Sequence, residues 1–242
     1  MTRGRCIGVG VGPGDPELMT IKAVRALEQC AVVAYFCAAR RESNARAVAQ
    51  HHLQPEHREL RLVYPVTTEA IPPHRYETLI ADFYDESAKR VAELLDAGLD
   101  VAVLCEGDPF FFGSYMYLHS RLNDRYECEV IPGVSSVMAG AAALGSPLAA
   151  RNEIFSVLSG VLPADELETA IRAADAIVVM KVGRNLEKVR VAVERAGLLG
   201  RASYVEWATW ARQRVVPLAE ADAATAPYFS IVVIPGLRAL QR

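Results

Sequence analysis

The chain has 242 residues, 52% of them hydrophobic and 23% charged, with a formal net charge of −3. That length and composition supply a buried core and exclude disorder and fibre; the charge offers no general attraction for nucleic acid or an anionic membrane surface. Five scattered cysteines without a CxxC pair fit a reduced compartment.

The basic start MTRGR leads into CIGVGV, a glycine-rich strand that reaches Pro13 and Asp15 too soon for a signal-peptide core. No run approaches the roughly 20 apolar residues of a membrane span; the cysteine pattern is what makes a cytoplasmic protein the expectation. Asp15 and Pro16 set a short turn, and Thr20 is the N-cap residue of a helix over IKAVRALEQ. Apolar runs then alternate with segments of helical period: AVVAYF and SNARAVAQHHL, LRLVYP and RYETLIADFYDESAKRVAELLDAG, VAVLC and SYMYLHSRL, ECEVI and VSSVMAGAAALG. Strands that are apolar throughout belong to a sheet covered on both faces, so this half is expected to be α/β with a mainly parallel sheet.

Around SPLAARN the texture changes. The second half reads as strand EIFSVLSG, helix PADELETAIRAA, strand DAIVVMKVG and helix NLEKVRVAVERAG, followed by the runs ASYVEWATW, RQRVVPLA and YFSIVVI without a long helix between the first two. A mixed sheet is expected, and two α/β domains, residues 1–148 and 149–242.

The glycines at positions 8, 10, 12 and 14 do not make a phosphate cradle. A dinucleotide fingerprint started at Gly8 places Pro13 at its third glycine, and no Gly-Lys-Ser/Thr follows for a P-loop. Gly12-Pro13-Gly14 is instead a rigid turn at the carboxyl edge of a strand. Two more loops, Glu106-Gly107-Asp108-Pro109 and Pro132-Gly133-Val134-Ser135-Ser136, follow strands in the same way. In an open parallel sheet all three gather at one edge, where such folds bind ligands. Each also has a purely conformational reading: Asp108 as a turn former, Ser135 or Ser136 as a helix cap.

Together GVGVGPGDPELMTIKA, CEGDPFFFGS, VIPGVSS and VVMKVGR resemble the tetrapyrrole methylases, which transfer methyl from S-adenosylmethionine to corrin and sirohaem precursors. Within that family LVYPVTTE, the Gly-Ser-Tyr-Met-Tyr-Leu-His stretch, VVMKVGR before NLEKV, and YFSIVVIPG look like members that methylate carbon 20 of precorrin-2. The resemblance implies two α/β domains with S-adenosylmethionine in the cleft between them, a tetrapyrrole acceptor and a homodimer. It implies cofactor contacts at Pro13, Gly107, Asp108, Phe112, Ser135 and Ser136, with an adenine pocket at Met180, Ala208 and Ile231.

A sulfonium beside an amino-acid zwitterion suits carbonyls and a carboxylate such as Asp108. In-line methyl transfer needs alignment, dryness and a group to take the acceptor's proton rather than a protein nucleophile. Candidates for that group are Asp108, Glu106 and Tyr115, with His119 also near. For the carboxylate-rich acceptor the candidates are Arg40, Arg41 and Arg184, along with Gly12, Gly14 and Asp15 of the first loop; Arg75 and Arg151 are weaker. Uroporphyrinogen methylases carry an arginine after GDPFxFG where this chain has Ser114, which favours a later precursor. His51, His52 and His57 lack ligand-like spacing, and no metal is expected. The alternatives are another tetrapyrrole methylase, acting on a different ring carbon or on cobalt-precorrin-2, a diphthine synthase-like or ribosomal-RNA methylase, and a module that binds S-adenosylmethionine without turnover. Arg40-Arg41 and Lys188-Val189-Arg190 are too little for a nucleic-acid face.

Overall fold

A computed structural model describes residues 2–66 and 72–240. The end of the LVYPVTTE segment, residues 67–69, lies outside the described residues. The chain forms two compact units, Met1–Ser135 and Ser136–Arg242.

The first unit holds five parallel strands: β1 (Cys6–Gly10), β2 (Val32–Ala38), β3 (Arg58–Tyr64), β4 (Val101–Cys105) and β5 (Cys128–Ile131). Their spatial order is β3-β2-β4-β1-β5. Between them run α1 (Ile21–Gln29), α2 (Asn44–Ala49), α3 (Pro73–Asp96) and α4 (Tyr115–Leu122). One face of the sheet, through Val32, Ala34, Phe36, Leu60, Leu62, Val101 and Val103, packs on Tyr84, Val91 and Leu95 of α3 and on Tyr115 and Leu118 of α4. Residues of the opposite parity, among them Ile7, Val33, Tyr35, Ala102 and Leu104, are buried too. Both faces are therefore covered over β1, β2 and β4, which read as unbroken apolar runs, whereas the edge strand β3 (RELRLVY) alternates and buries only Leu60 and Leu62. Local chemistry sets the helix starts as the sequence predicts: Asp15 accepts a hydrogen bond from Glu17 N (2.9 Å), and the hydroxyl of Thr20 accepts one from Ala23 N (3.1 Å).

The second unit begins with α5 (Ser136–Leu144) and builds a mixed sheet from β6 (Phe155–Ser159), β7 (Ala176–Met180), β8 (Ser203–Glu206), β9 (Arg214–Pro217) and β10 (Ser230–Ile234), in the order β6-β7-β10-β8-β9. Only β6 and β7 run parallel; the other pairings are antiparallel. Helices α6 (Ala164–Arg172) and α7 (Leu186–Arg195) cover it, with Leu167, Ile171, Leu186, Val189 and Val193 meeting Ile177, Val179 and Val232. A short α8 (Leu237–Leu240) follows β10. The two α/β sheets, one parallel and one mixed, are those expected from the sequence. The units divide ahead of α5, whereas the change in texture near residue 149 comes after it. Packing is the reason: Gly140 of α5 lies directly on Ile231 of β10, so closely that a Cβ there would collide with the Ile231 side chain. Among the described residues no helix is long and apolar enough to cross a membrane.

Candidate functional site

Three loops leave the carboxyl edge of the first sheet, and backbone contacts lock them together. Beyond the strand ends, Val11 N donates to Cys105 O (2.9 Å), Gly107 N to Gly12 O (2.8 Å) and Gly12 N to Gly107 O (3.3 Å), so the glycine loop and the GDP loop continue as an antiparallel bridge. Gly12 and Gly107 adopt φ of +83° and +65°, where a side chain is strained. The glycines that looked like a phosphate cradle have separate steric roles. A Cβ on Gly8 would sit 2.5 Å from the Tyr115 ring, and one on Gly10 would sit 2.6 Å from Gly133 N and 2.8 Å from Gly107 O. Alternate positions lack side chains because one neighbour is an aromatic ring and the other two are backbones at van der Waals distance.

Asp108 ties the arrangement. Its Oδ1 accepts from Phe110 N (2.9 Å), closing the GDP turn, and its Oδ2 accepts from Gly133 N (3.1 Å), fastening the third loop to the second. Phe112 follows at φ +57° and is exposed, a bulky residue held in the left-handed region, which costs on the order of 1 kcal/mol and marks an over-determined turn. Pro13, Asp15, Ser135 and Ser136 are half-buried, and Gly12 and Gly14 are buried.

Glu106 sits differently. Its side chain is exposed; Oε1 accepts from Ala45 N in the first turn of α2 (3.2 Å). Desolvation by the surrounding protein raises its carboxyl above the ordinary carboxylate range and outweighs the backbone amides that favour the charge, although solvent still reaches the side chain. Close by, the Tyr64 hydroxyl at the end of β3 is 2.5 Å from Ser114 Oγ, and burial pushes its phenol up, with Tyr84 the next cause.

Tyr115, a candidate for proton chemistry, is wholly buried. Its hydroxyl donates at 3.4 Å to the carbonyls of Cys6 and Glu129, which makes it a packing residue between α4 and strands β1 and β5. His119 is half-buried with its ring edge-on to Phe110 (4.9 Å). Arg40 and Arg41 are exposed after β2, on the same sheet edge as the three loops. Among the described residues no three His, Cys, Asp or Glu side chains gather in a way that could hold a metal ion.

In the second unit the register of β10 against β7 (Val232 opposite Val179) and β8 (Ile231 opposite Val205) brings Met180 and Ile231 to one edge of the sheet. Met180 is half-buried, and its carbonyl accepts from Gly160 N (2.7 Å). Ala208 is buried between Trp207 and Thr209, both at positive φ (52° and 70°). Arg184 is exposed at the start of α7. Nothing in the local sequence announces the platform beside Ala208, where the Trp207 ring stacks on Phe229 (5.0 Å) and carries the Arg212 guanidinium 3.4 Å from its centroid. The hydroxyl pair Tyr64 and Ser114 is equally silent in the sequence, apart from a tyrosine that closes a strand.

The profile of the Tetrapyrrole (Corrin/Porphyrin) Methylases matches residues 5–224. A Sinorhizobium protein named precorrin-2 C(20)-methyltransferase is 50% identical over 96% of this chain and 96% of its own. The cobalamin biosynthesis protein CobIJ of Mycobacterium tuberculosis H37Rv is 49% identical over 98% of this chain, but this chain spans only 47% of that protein's length. Among solved structures, a Thermus thermophilus uroporphyrin-III C-methyl transferase complexed with S-adenyl homocysteine superposes with a TM-score of 0.66 at 26% identity, covering 95% of this chain and 97% of that one. With its motifs, its two sheets and these relatives in agreement, the chain belongs to the tetrapyrrole methylase family.

Proposed function

We propose that the protein transfers a methyl group from S-adenosylmethionine to carbon 20 of precorrin-2 in corrin-ring synthesis. The observation that carries this reading is the 50% identity to the Sinorhizobium precorrin-2 C(20)-methyltransferase over nearly the whole of both chains. The Salmonella typhimurium cobalt-precorrin-2 C(20)-methyltransferase is only 27% identical over a similar span, which favours the metal-free acceptor. The CobIJ match adds the cobalamin pathway without choosing a reaction, because half of that protein has no counterpart here.

When bound, S-adenosylmethionine supplies an electrophilic methyl on a sulfonium. Pro13, Gly107, Phe112, Ser135 and Ser136 line its site in this reading, and Met180, Ala208 and Ile231 face its adenine. Asp108 acts through the loops: it holds the amides of Phe110 and Gly133 and so fixes the backbone carbonyls that meet the cation. Gly12, Gly14 and Asp15 border the acceptor, and Arg40, Arg41 and Arg184 take its carboxylates. The protein works in the cytoplasm as a homodimer.

The test is a mass spectrum of the tetrapyrrole after incubation with S-adenosylmethionine and precorrin-2, metal-free in one tube and cobalt-loaded in another, with the methylated carbon located by NMR. One methyl at carbon 20 in the metal-free tube is expected. No methyl in either tube, with cofactor binding intact, overturns the acceptor.

A further inference from the structure

Replacing hydrogen by methyl on the acceptor leaves a proton to be removed, and the loops at the edge of the first sheet differ sharply in what they offer it. Asp108 already accepts two backbone amides, one through each oxygen, and both bonds hold the loops together. Asp15 is engaged as a cap on Glu17 N. The Tyr115 hydroxyl is sealed in the core against two carbonyls, and His119 is ring-packed on Phe110 and Tyr115. Glu106 remains: exposed on the loop after β4, one residue before the bridge between Gly12 and Gly107, its Oε1 accepting from Ala45 N while its own backbone amide also favours the carboxylate, and with no tie to the other two loops.

From this arrangement we infer that Glu106 is the catalytic residue that takes the acceptor's proton. The inference rests on the methyl-transfer reading above. In the step, the acceptor carbon's electron pair forms the new carbon–carbon bond while the sulfur–methyl bond breaks and its pair stays on sulfur as a neutral thioether. The pair of the carbon–hydrogen bond then returns to the ring, and the proton passes to the Glu106 carboxylate. Charge balances: a sulfonium and a carboxylate become a thioether and a carboxylic acid.

Three features of the surroundings suit that role. The Ala45 amide, sixty-one residues away in the chain, fixes the orientation of the carboxylate through Oε1. The desolvation that raises its carboxyl makes it a stronger base than an ordinary glutamate. Its neighbours Tyr64 and Cys105 both feel its charge and are both pushed up by burial, so neither competes for the proton as an anion.

Glu106→Gln tests the assignment, because the amide oxygen still accepts from Ala45 N and the α2 contact survives. The readouts are kcat on precorrin-2, the affinity for S-adenosylmethionine by calorimetry, and the isotope effect with acceptor deuterated at the reacting carbon. A proton acceptor predicts a fall in kcat of about 10²–10⁴-fold, cofactor affinity within about twofold, and a primary isotope effect that is absent from the wild type. Glu106→Asp, which keeps the carboxylate, should recover part of the rate and guards against misfolding of the first variant. A purely structural role leaves the isotope effect at its wild-type value in both variants, and that outcome, or wild-type kcat in Glu106→Gln, overturns the proposal. Wild-type protein that transfers no methyl to precorrin-2 overturns the acceptor assignment first, and is told apart from failure of Glu106 by the wild-type tube alone.

Discussion

Replacing Asp108 by alanine removes the acceptor of two amides, and the structure gives the scale of the effect. The Phe110 amide is exposed and water replaces the lost bond, at a cost near the bottom of the range. The Gly133 amide is part-buried against the backbones of Gly10 and Gly107, so it loses a charge-assisted bond with little room for water. Hydrogen bonds to charged groups contribute about 1.5–3 kcal/mol, and counting the Gly133 bond in full with the Phe110 bond discounted gives about 2–3 kcal/mol. For a chain of this size that lowers Tm by about 4–12 °C. The same energy, lost from the loops that must be ordered to bind, corresponds to roughly 30-fold or more in S-adenosylmethionine affinity. Thermal unfolding, calorimetric titration and exchange of the Gly133 amide measure the three consequences together. Asp108→Asn, which can accept from only one of the two amides, should fall between. Unchanged Gly133 exchange with normal cofactor affinity in Asp108→Ala would refute the clamp.

Three further outcomes are expected. Glu59 accepts from both Nε and Nη2 of Arg46 and from the Tyr35 hydroxyl; the Arg46 bonds are the main reason its carboxyl lies at about 2 rather than 4.5. A depressed folded value stabilises above pH 4.5 and is lost as pH falls toward 2. Because the group is largely exposed, Glu59→Gln should lower stability at pH 7 by only about 1 kcal/mol, with a difference from wild type that vanishes in acid; a gap that persists at pH 2 contradicts the assignment. Gly133→Ala would drive a Cβ into the Gly107 carbonyl and the Gly10 backbone, so loop separation, a loss of several kcal/mol and loss of cofactor binding are expected; a soluble variant with native Tm argues against the close approach. Met180→Glu should weaken S-adenosylmethionine binding by about tenfold or more while Tm moves little, and normal binding would show that the edge of the second sheet has been assigned wrongly.

Sequence alone carried the elements, because their signals are local. Unbroken apolar runs announced a sheet covered on both faces, Asp15 and Thr20 announced the turn and the first helix, and the loss of intervening helices after Ala202 announced a mixed sheet. The motif loops were legible as well, since Gly, Pro and Asp after a strand speak for themselves. The remaining features depend on partners far along the chain and exist only once it has folded. The order β3-β2-β4-β1-β5 sets β1 beside β4 and β5, and from that adjacency follow the bridge between Gly12 and Gly107, the bond between Asp108 and Gly133, and the pressing of Gly8 against Tyr115. No spacing could show that Tyr115 faces the core rather than the loops, because helical phase is fixed by what the helix packs on. Nor could it show that Glu106, sixty-one residues from Ala45, is oriented by the first turn of α2. The helix VSSVMAGAAALG was readable, but its membership of the second unit rests on Gly140 meeting Ile231, a contact that exists only once both are folded.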